Sequence, residues 1–314
     1  MVVDIGFVLA GLVMLYFGAG FLVRGASSLA VRMGISALVV GLTVVAYGTS
    51  MPELLVSSMA TLKGQGGISI GNVLGSNIFN IGAILGLSAM IFPLRVHLQV
   101  LKFDTPLMLA TALVFIVFFL DQRIGRWEAL FLLAGAISYT AFNVVKSRKE
   151  EKKAAENIFE EDIPEKLSSL KWDLFYIFLG VAVLAGGSSL LVNGATGLAR
   201  ALGASEALIG LTIVAAGTSL PELATSLVAA LKKHSDIAVG NVVGSNIFNI
   251  LAILGVAGLI RPIETTGISN IDLGVMIGFS LVLIPLMRSG AKISRIEGFF
   301  LFAAFLAYMG YLII

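Results

Sequence analysis

Residues 48–80 read GTSMPELLVSSMATLKGQGGISIGNVLGSNIFN, and residues 217–249 read GTSLPELATSLVAALKKHSDIAVGNVVGSNIFN. Shifting the chain against itself by 169 residues aligns Gly41–Gly86 with Gly210–Gly255 without a gap, with 30 identities in 46 positions. Unrelated text would agree at only a few, so the chain carries an internal duplication. Each copy places a glutamate, Glu53 or Glu222, beside a proline inside an apolar run. The run dictates the fold, and the glutamate dictates where the chemistry lies.

Of 314 residues, 58% are hydrophobic and 13% charged, against roughly 25% charged in soluble domains. Apolar runs near the ~20 residues needed to cross a bilayer recur from end to end. The composition therefore implies an all-α, polytopic membrane protein. A soluble helical domain is excluded because too little polar surface remains to cover it. The net charge of +2 gives no reason to expect a nucleic-acid partner. With no cysteine, disulfides, thiolate metal sites and cysteine nucleophiles are excluded. The N-terminal stretch MVVDIGFVLAGLVMLYFGAG lacks the basic region of a cleaved signal peptide and reads as a retained first helix.

Hydropathy predicts ten transmembrane helices, at about 4–24, 37–62, 68–93, 105–120, 127–146, 173–199, 206–231, 237–260, 270–287 and 296–313. The one long polar stretch, 147–171, reads as a solvated cytoplasmic linker. It divides a first five-helix repeat, 1–146, from a second, 172–314. Five spans per repeat send the second copy into the membrane from the opposite side, so the repeats are expected to be inverted. With the N-terminus outside, sixteen of the 21 basic residues fall in cytoplasmic loops, seven of them between Lys146 and Lys171. The positive-inside rule then puts both termini on the extracytoplasmic side of the plasma membrane. Trp127 and Trp172, at helix ends, read as interfacial anchors.

An ionised carboxylate inside an apolar span costs about 2.5–3.5 kcal/mol even on lenient scales. Glu53 and Glu222 must therefore face a partner, a cavity or an ion. The other acids, among them Asp4, Asp104, Asp121, Asp173, Glu206, Glu264, Asp272 and Glu297, lie near span ends and read as solvated flanks. Pro52 and Pro221 have no N–H and crowd the carbonyls of Gly48 and Gly217, so each helix should break there. Freed carbonyls in lipid must be satisfied or line a cavity. Thr49 shares a helix face with Glu53, and Thr218 with Glu222, at a spacing of four. Ser50 and Ser219 add hydroxyls. In GN-x-x-GSN-x-x-N, Ser76 projects with Asn80, and Ser245 with Asn249. Gly71, Gly75, Gly240 and Gly244 make small-residue faces for close helix approach. Helix packing with hydrogen bonds across helices is an alternative account of these glycines, serines and asparagines, stronger for Gly71, Gly75 and Asn72 than for Asn80 and Asn249, which recur at a fixed distance from the buried glutamate.

The donors that converge are all oxygen, the set that suits hard cations such as calcium. Zinc or copper would call for His or Cys, and His97 and His234 are unrepeated and near span ends. A serine hydrolase is disfavoured because no His or Lys base accompanies the GTS serine. Two glutamates neutralise one calcium ion or two sodium ions. One pocket taking either in turn is an antiporter, with no enzymatic activity and no cofactor expected. A channel fits poorly with proline breaks in both halves.

GTSMPEL at 48–54 and GNVLGSNIFN at 71–80, with GTSLPEL at 217–223 and GNVVGSNIFN at 240–249, resemble the alpha-1 and alpha-2 repeats of the sodium/calcium exchanger group of the cation/calcium antiporter superfamily. The resemblance covers the whole chain. It implies a core of helices 2, 3, 7 and 8 holding the ions, and long, oblique first and sixth helices that slide across it. It also implies Glu53 and Glu222 as the shared carboxylates, Thr49, Ser50, Thr218 and Ser219 as motif ligands, Ala46 and Ala215 as carbonyl donors, and Ser76, Asn80, Ser245 and Asn249 as the ligands of helices 3 and 8. Potassium-dependent members carry aspartate where this chain has Asn249, which argues against potassium co-transport. The expected activity is exchange of sodium for calcium by alternating access, with a monomer as the expected functional unit in the lipid bilayer. Proton/calcium antiport is the alternative.

Overall fold

The computed structural model describes residues 1–155, 169–203, 215–264 and 268–313, and these are almost wholly helical. Helix α1, Val2–Met33, continues past the expected 24 because nothing breaks it until Gly34. There the backbone turns left-handed (φ 59°) and its N–H returns to the carbonyls of Ala30 and Val31, a conformation that glycine adopts without steric cost. The Ser36 hydroxyl then accepts the Val39 N–H and caps α2.

Helix α2 is two segments, Ala37–Thr49 and Met51–Leu62, bent by 48°. The bend falls at Ser50 because Pro52 cannot donate to the carbonyl of Gly48. Pro52 instead occupies the first turn of the second segment, where a helix needs no N–H. This is the break that the sequence predicts.

The chain continues through α3 (Gly66–Ile91), α4 (Val100–Phe118), α5 (Arg126–Ala155), α6 (Leu170–Ala201), a turn at Ala215–Gly217, α7 (Leu220–Leu231), α8 (Ser235–Ile260), α9 (Asn270–Arg288) and α10 (Arg295–Ile313). Among the described residues, eight helices are long and apolar enough to cross a membrane, or nine if the segments of α2 form one span. The span expected at 206–231 begins in residues outside the described set, which resumes at 215. The expected linker is helical over residues 147–155, continuous with α5, because SRKEEKKAA is rich in strong helix formers. Its residues 156–168 lie outside the described set.

At 32 residues each, α1 and α6 are about 48 Å long, well beyond a ~30 Å hydrocarbon core. They run antiparallel in close contact. A Cβ added at Gly11 would lie 2.7 Å from the Gly187 carbonyl oxygen, and one at Gly25 2.8 Å from that of Asp173. Gly11, Gly18 and Gly25 recur every seven residues, as do their repeat counterparts Gly180, Gly187 and Gly194. Small residues on one face let two backbones approach. At one end of the pair Arg32 forms an ion pair with Asp173, which also accepts the Ser28 hydroxyl at 2.6 Å. Asp173 is fully buried, not a solvated flank. Asp104 is likewise fully buried and accepts the Tyr139 hydroxyl at 3.0 Å. Both acids lie where one helix end is covered by another, a burial that distance from a span end does not reveal.

Helices α3 and α8 occupy the interior, and α8 is buried along almost its whole circumference, its polar residues Asn241, Ser245, Asn246 and Asn249 included. Around this core, two short antiparallel ribbons join the halves. Strand β1 (Leu94–Arg95) pairs with β4 (Lys292–Ile293), and β2 (Arg123–Ile124) pairs with β3 (Ile263–Glu264). No strand is expected from the sequence, and two-residue strands carry no usable periodicity. Large apolar side chains such as Phe17, Phe131, Ile137, Phe178, Phe299 and Phe300 face outward, and Trp127 and Trp172 are exposed at helix starts. Such a surface suits lipid, not water.

Candidate functional site

The bend in α2 and the matching start of α7 bring Glu53 and Glu222 into the interior, each about 1% exposed. Neither has a cationic partner among the described residues. Each carboxylate is instead met by a serine of the other half. Ser219 Oγ donates to Glu53 Oε1 at 2.7 Å, and Ser50 Oγ donates to Glu222 Oε1 at 2.7 Å. The same serines lie 3.1 Å from Ser76 Oγ and Ser245 Oγ respectively. Every one of these contacts has a twin 169 residues away, with the halves exchanged.

Asn80 and Asn249 are also buried, one helical turn beyond Ser76 and Ser245. Each begins a short π-helical turn, Asn80–Leu85 in α3 and Asn249–Ile253 in α8, a distortion frequent at functional sites. Their amide nitrogens are engaged, Asn80 Nδ2 with Asn246 Oδ1 and Asn249 Nδ2 with Asn77 Oδ1, both at 2.9 Å. Among the described residues, the buried side-chain atoms without a hydrogen-bond partner include Glu53 Oε2, Glu222 Oε2, Asn80 Oδ1 and Asn249 Oδ1, one carboxylate and one amide oxygen from each half. Buried polar atoms are normally satisfied, and exceptions at a functional centre point to an absent partner. Among the described residues no three His, Cys, Asp or Glu side chains gather at one point.

The sodium/calcium exchanger protein family matches residues 3–145 and again 172–314. This chain belongs to the sodium/calcium exchanger family. It is 39% identical over 309 residues to the putative antiporter CaxA of Alkalimonas amylolytica, covering 96% of each chain. It is 34% identical over 338 residues to the sodium/calcium exchanger MaX1 of Methanosarcina acetivorans, again over 96% of each. Its fold matches a structure of the sodium-calcium exchanger NCX_Mj soaked with 10 mM Na+ and 10 mM Sr2+, with a TM-score of 0.83, 33% identity and 98% of both chains covered. As a member of this family the chain is a multi-pass membrane cation/calcium antiporter and not an enzyme, and sodium and calcium ions are the family's transported substrates.

The other expected ligands of this exchanger are placed as follows. Thr49 is buried, its hydroxyl 3.1 Å from Asn241 Oδ1 and 3.3 Å from the Ala46 carbonyl. That carbonyl also accepts the Ser50 N–H at 3.0 Å. Thr218 is half-buried, with its hydroxyl 3.4 Å from Asn72 Oδ1. Ala215 opens the turn before α7. Asn72, for which packing is the alternative, donates to the Glu53 carbonyl at 3.2 Å and to Ser57 Oγ at 2.9 Å. Asn241 does the same with Glu222 and Ser226. Both amides are consumed in bracing the glutamate segments. Gly244 and Gly240 receive α2 closely: an added Cβ would lie 2.5 Å from the Leu42 carbonyl oxygen and 3.0 Å from that of Leu38. The counterparts of those leucines, residues 207 and 211, fall outside the described set, and no described atom lies within 4 Å of a Cβ at Gly71 or Gly75. Asn77 and Asn246, in the middle of GSN-x-x-N, are not among the expected ligands, although their strict duplication is a signal that could have marked them.

Proposed function

We propose that the chain exchanges sodium for calcium by alternating access, with the ions bound between the halves by Glu53, Glu222, Asn80 and Asn249. The observation that carries this reading is the set of four buried, unpartnered oxygens, one carboxylate and one amide from each half. A hard cation satisfies such a set, and calcium, which takes six to eight oxygens in flexible geometry, can add neighbouring hydroxyls. Ser50, Ser76, Ser219 and Ser245 already touch the carboxylates or each other across the halves. Thr49, Thr218 and the carbonyls of Ala46 and Ala215 complete the proposed ligands. Two carboxylates balance one calcium or two sodium ions, which makes occupancy mutually exclusive.

The reading includes ten spans in two inverted repeats, 1–146 and 172–314, joined by a cytoplasmic linker at 147–171. The antiparallel run of α1 against its counterpart α6 and the reciprocal hydrogen bonds support the inversion. A monomer is the proposed functional unit. Calcium uptake into proteoliposomes under imposed sodium, potassium or proton gradients tests the coupling. Uptake is expected to follow the sodium gradient and ignore the other two. Uptake driven by a pH gradient with sodium absent would replace sodium by protons.

We further propose that both termini are extracytoplasmic in the plasma membrane. Each β-ribbon joins two loops that the distribution of basic residues puts on one side, β1 with β4 inside and β2 with β3 outside. The chain has no cysteine, so single cysteines report cleanly. With the N-terminus outside, an impermeant thiol reagent applied to cells labels Val2→Cys, at an exposed position, and spares Lys152→Cys. The opposite pattern would invert the topology.

A further inference from the structure

Asn77 and Asn246 lie between α3 and α8, 2% and 1% exposed. The amide of Asn77 donates to the main-chain carbonyl of Asn246 at 3.4 Å, and the amide of Asn246 donates to the main-chain carbonyl of Asn77 at 3.4 Å. Those carbonyls sit one turn before the π-helical segments, where the N–H groups of Asn249 and Asn80 also approach them, and a carbonyl has a second lone pair to offer. The oxygens of the two asparagines face the other way. Asn77 Oδ1 accepts from Asn249 Nδ2 and Asn246 Oδ1 accepts from Asn80 Nδ2, both at 2.9 Å.

The direction of this chain of bonds follows from one fact: a main-chain carbonyl can only accept. The end of Asn77 that faces the Asn246 carbonyl must therefore be NH2. Its oxygen is then turned to Asn249, which must answer with its own NH2. The oxygen of Asn249 is left pointing away, buried and without a partner. The same steps run from the Asn77 carbonyl through Asn246 to Asn80. Turning over any one amide sets oxygen against oxygen or N–H against N–H, a mismatch that burial makes costly.

We infer that Asn77 and Asn246 are positioning residues that decide which face of a ligand amide meets the ion: Asn77 for Asn249, and Asn246 for Asn80. The inference rests on the reading of Asn80 and Asn249 as ion ligands. A flipped amide would present N–H groups to a cation, so the relay acts on affinity and not merely on packing. Each relay also crosses between the halves. A ligand of one half is correctly turned only while the other half is seated against it.

The test is a set of double-mutant cycles on the full chain in proteoliposomes, reading the calcium KM of exchange and the thermal midpoint of the purified protein. Asn77→Leu and Asn246→Leu are each expected to raise the calcium KM about 10-fold, the lower end of what loss of a partner orienting a metal ligand costs. In an Asn249→Ala background, Asn77→Leu should add less than about twofold, and in an Asn80→Ala background it should keep its full effect. Asn246→Leu should show the mirror pattern. Equal effects of Asn77→Leu in both backgrounds, or a KM that does not move, would overturn the inference. If a leucine variant does not fold, Asn77→Ala and Asn246→Ala carry the same cycles. Should Asn80→Ala and Asn249→Ala leave the KM unchanged, the ligand reading itself fails. Should they raise it while the cycles stay additive, only the positioning role fails.

Discussion

Glu53→Gln and Glu222→Gln are each expected to abolish calcium transport while leaving the protein folded. Glutamine keeps the shape of glutamate, and its carbonyl oxygen can still accept the serine hydroxyl that now reaches Oε1 from the opposite half. The unpartnered Oε2 becomes an NH2 group with the wrong polarity for a cation. One of two negative charges is also lost. At an effective dielectric of 20, a unit charge pair about 4 Å apart is worth on the order of 4 kcal/mol, and a divalent ion feels twice that. Since about 1.4 kcal/mol is tenfold in affinity, either substitution should weaken calcium binding by more than two decades. The thermal midpoint should not fall, because a buried charge without a cationic partner is removed. Calcium flux in proteoliposomes, set beside thermal unfolding, checks both halves of the statement. Flux near the wild-type level from either variant would remove these glutamates from the site.

The second large effect is steric. In Gly244→Ala the new methyl group would lie 2.5 Å from the Leu42 carbonyl oxygen and 2.7 Å from its Cα. Backbone cannot swing aside as a flexible side chain can, so α8 and the first segment of α2 must part. That segment leads into Thr49 and Ser50, which meet Asn241 and Ser245 of α8 across the same contact, and Ser50 also reaches Glu222 of α7. Overpacking typically costs about 1–3 kcal/mol, and here the displacement is delivered directly to the site. Transport should drop about tenfold or more, together with the thermal midpoint. Gly278→Ala, with no atom within 4 Å of the added Cβ, should change neither. Unaltered flux and stability in Gly244→Ala would mean that α2 and α8 are not held this closely.

The reach of the sequence differs from residue to residue for physical reasons. Glu53, Pro52 and their counterparts are legible because one rule acts at one position: a charge in an apolar run needs a partner, and a proline ends a helical ladder. The duplication then doubles each signal. Asn77 could be seen to repeat, but its role depends on the main-chain carbonyl of Asn246, 169 residues away, which no local pattern announces. Asp173 and Asp104 look like flanking charges by position, and only the packing of α1 on α6 and the approach of Tyr139 reveal them as buried. The seven-residue glycine spacing of α1 and α6 is present in the text. Its meaning needs two helices side by side, since glycine in an apolar span is common. Hydropathy averaged over a window finds spans and discards the single polar atoms on which partners are chosen.

The ribbons have a consequence for how the molecule is made. Leu94 pairs with Ile293, and Ile124 with Ile263, so a loop emerging early in synthesis must wait for one that emerges near the end. At about 5–20 residues per second, the ~200 residues between Leu94 and Ile293 take tens of seconds to appear. Until the second half follows, the first half has no Ser219 for its glutamate, no Asn246 for its asparagine and no edge for its strands. The first half then stands with its polar interior still open. Completion therefore comes late, with the last strand set just ahead of the last helix, Arg295–Ile313. A nascent chain arrested before residue 290 would be inserted yet unfinished, a natural target for quality control that reads polar groups left bare in lipid.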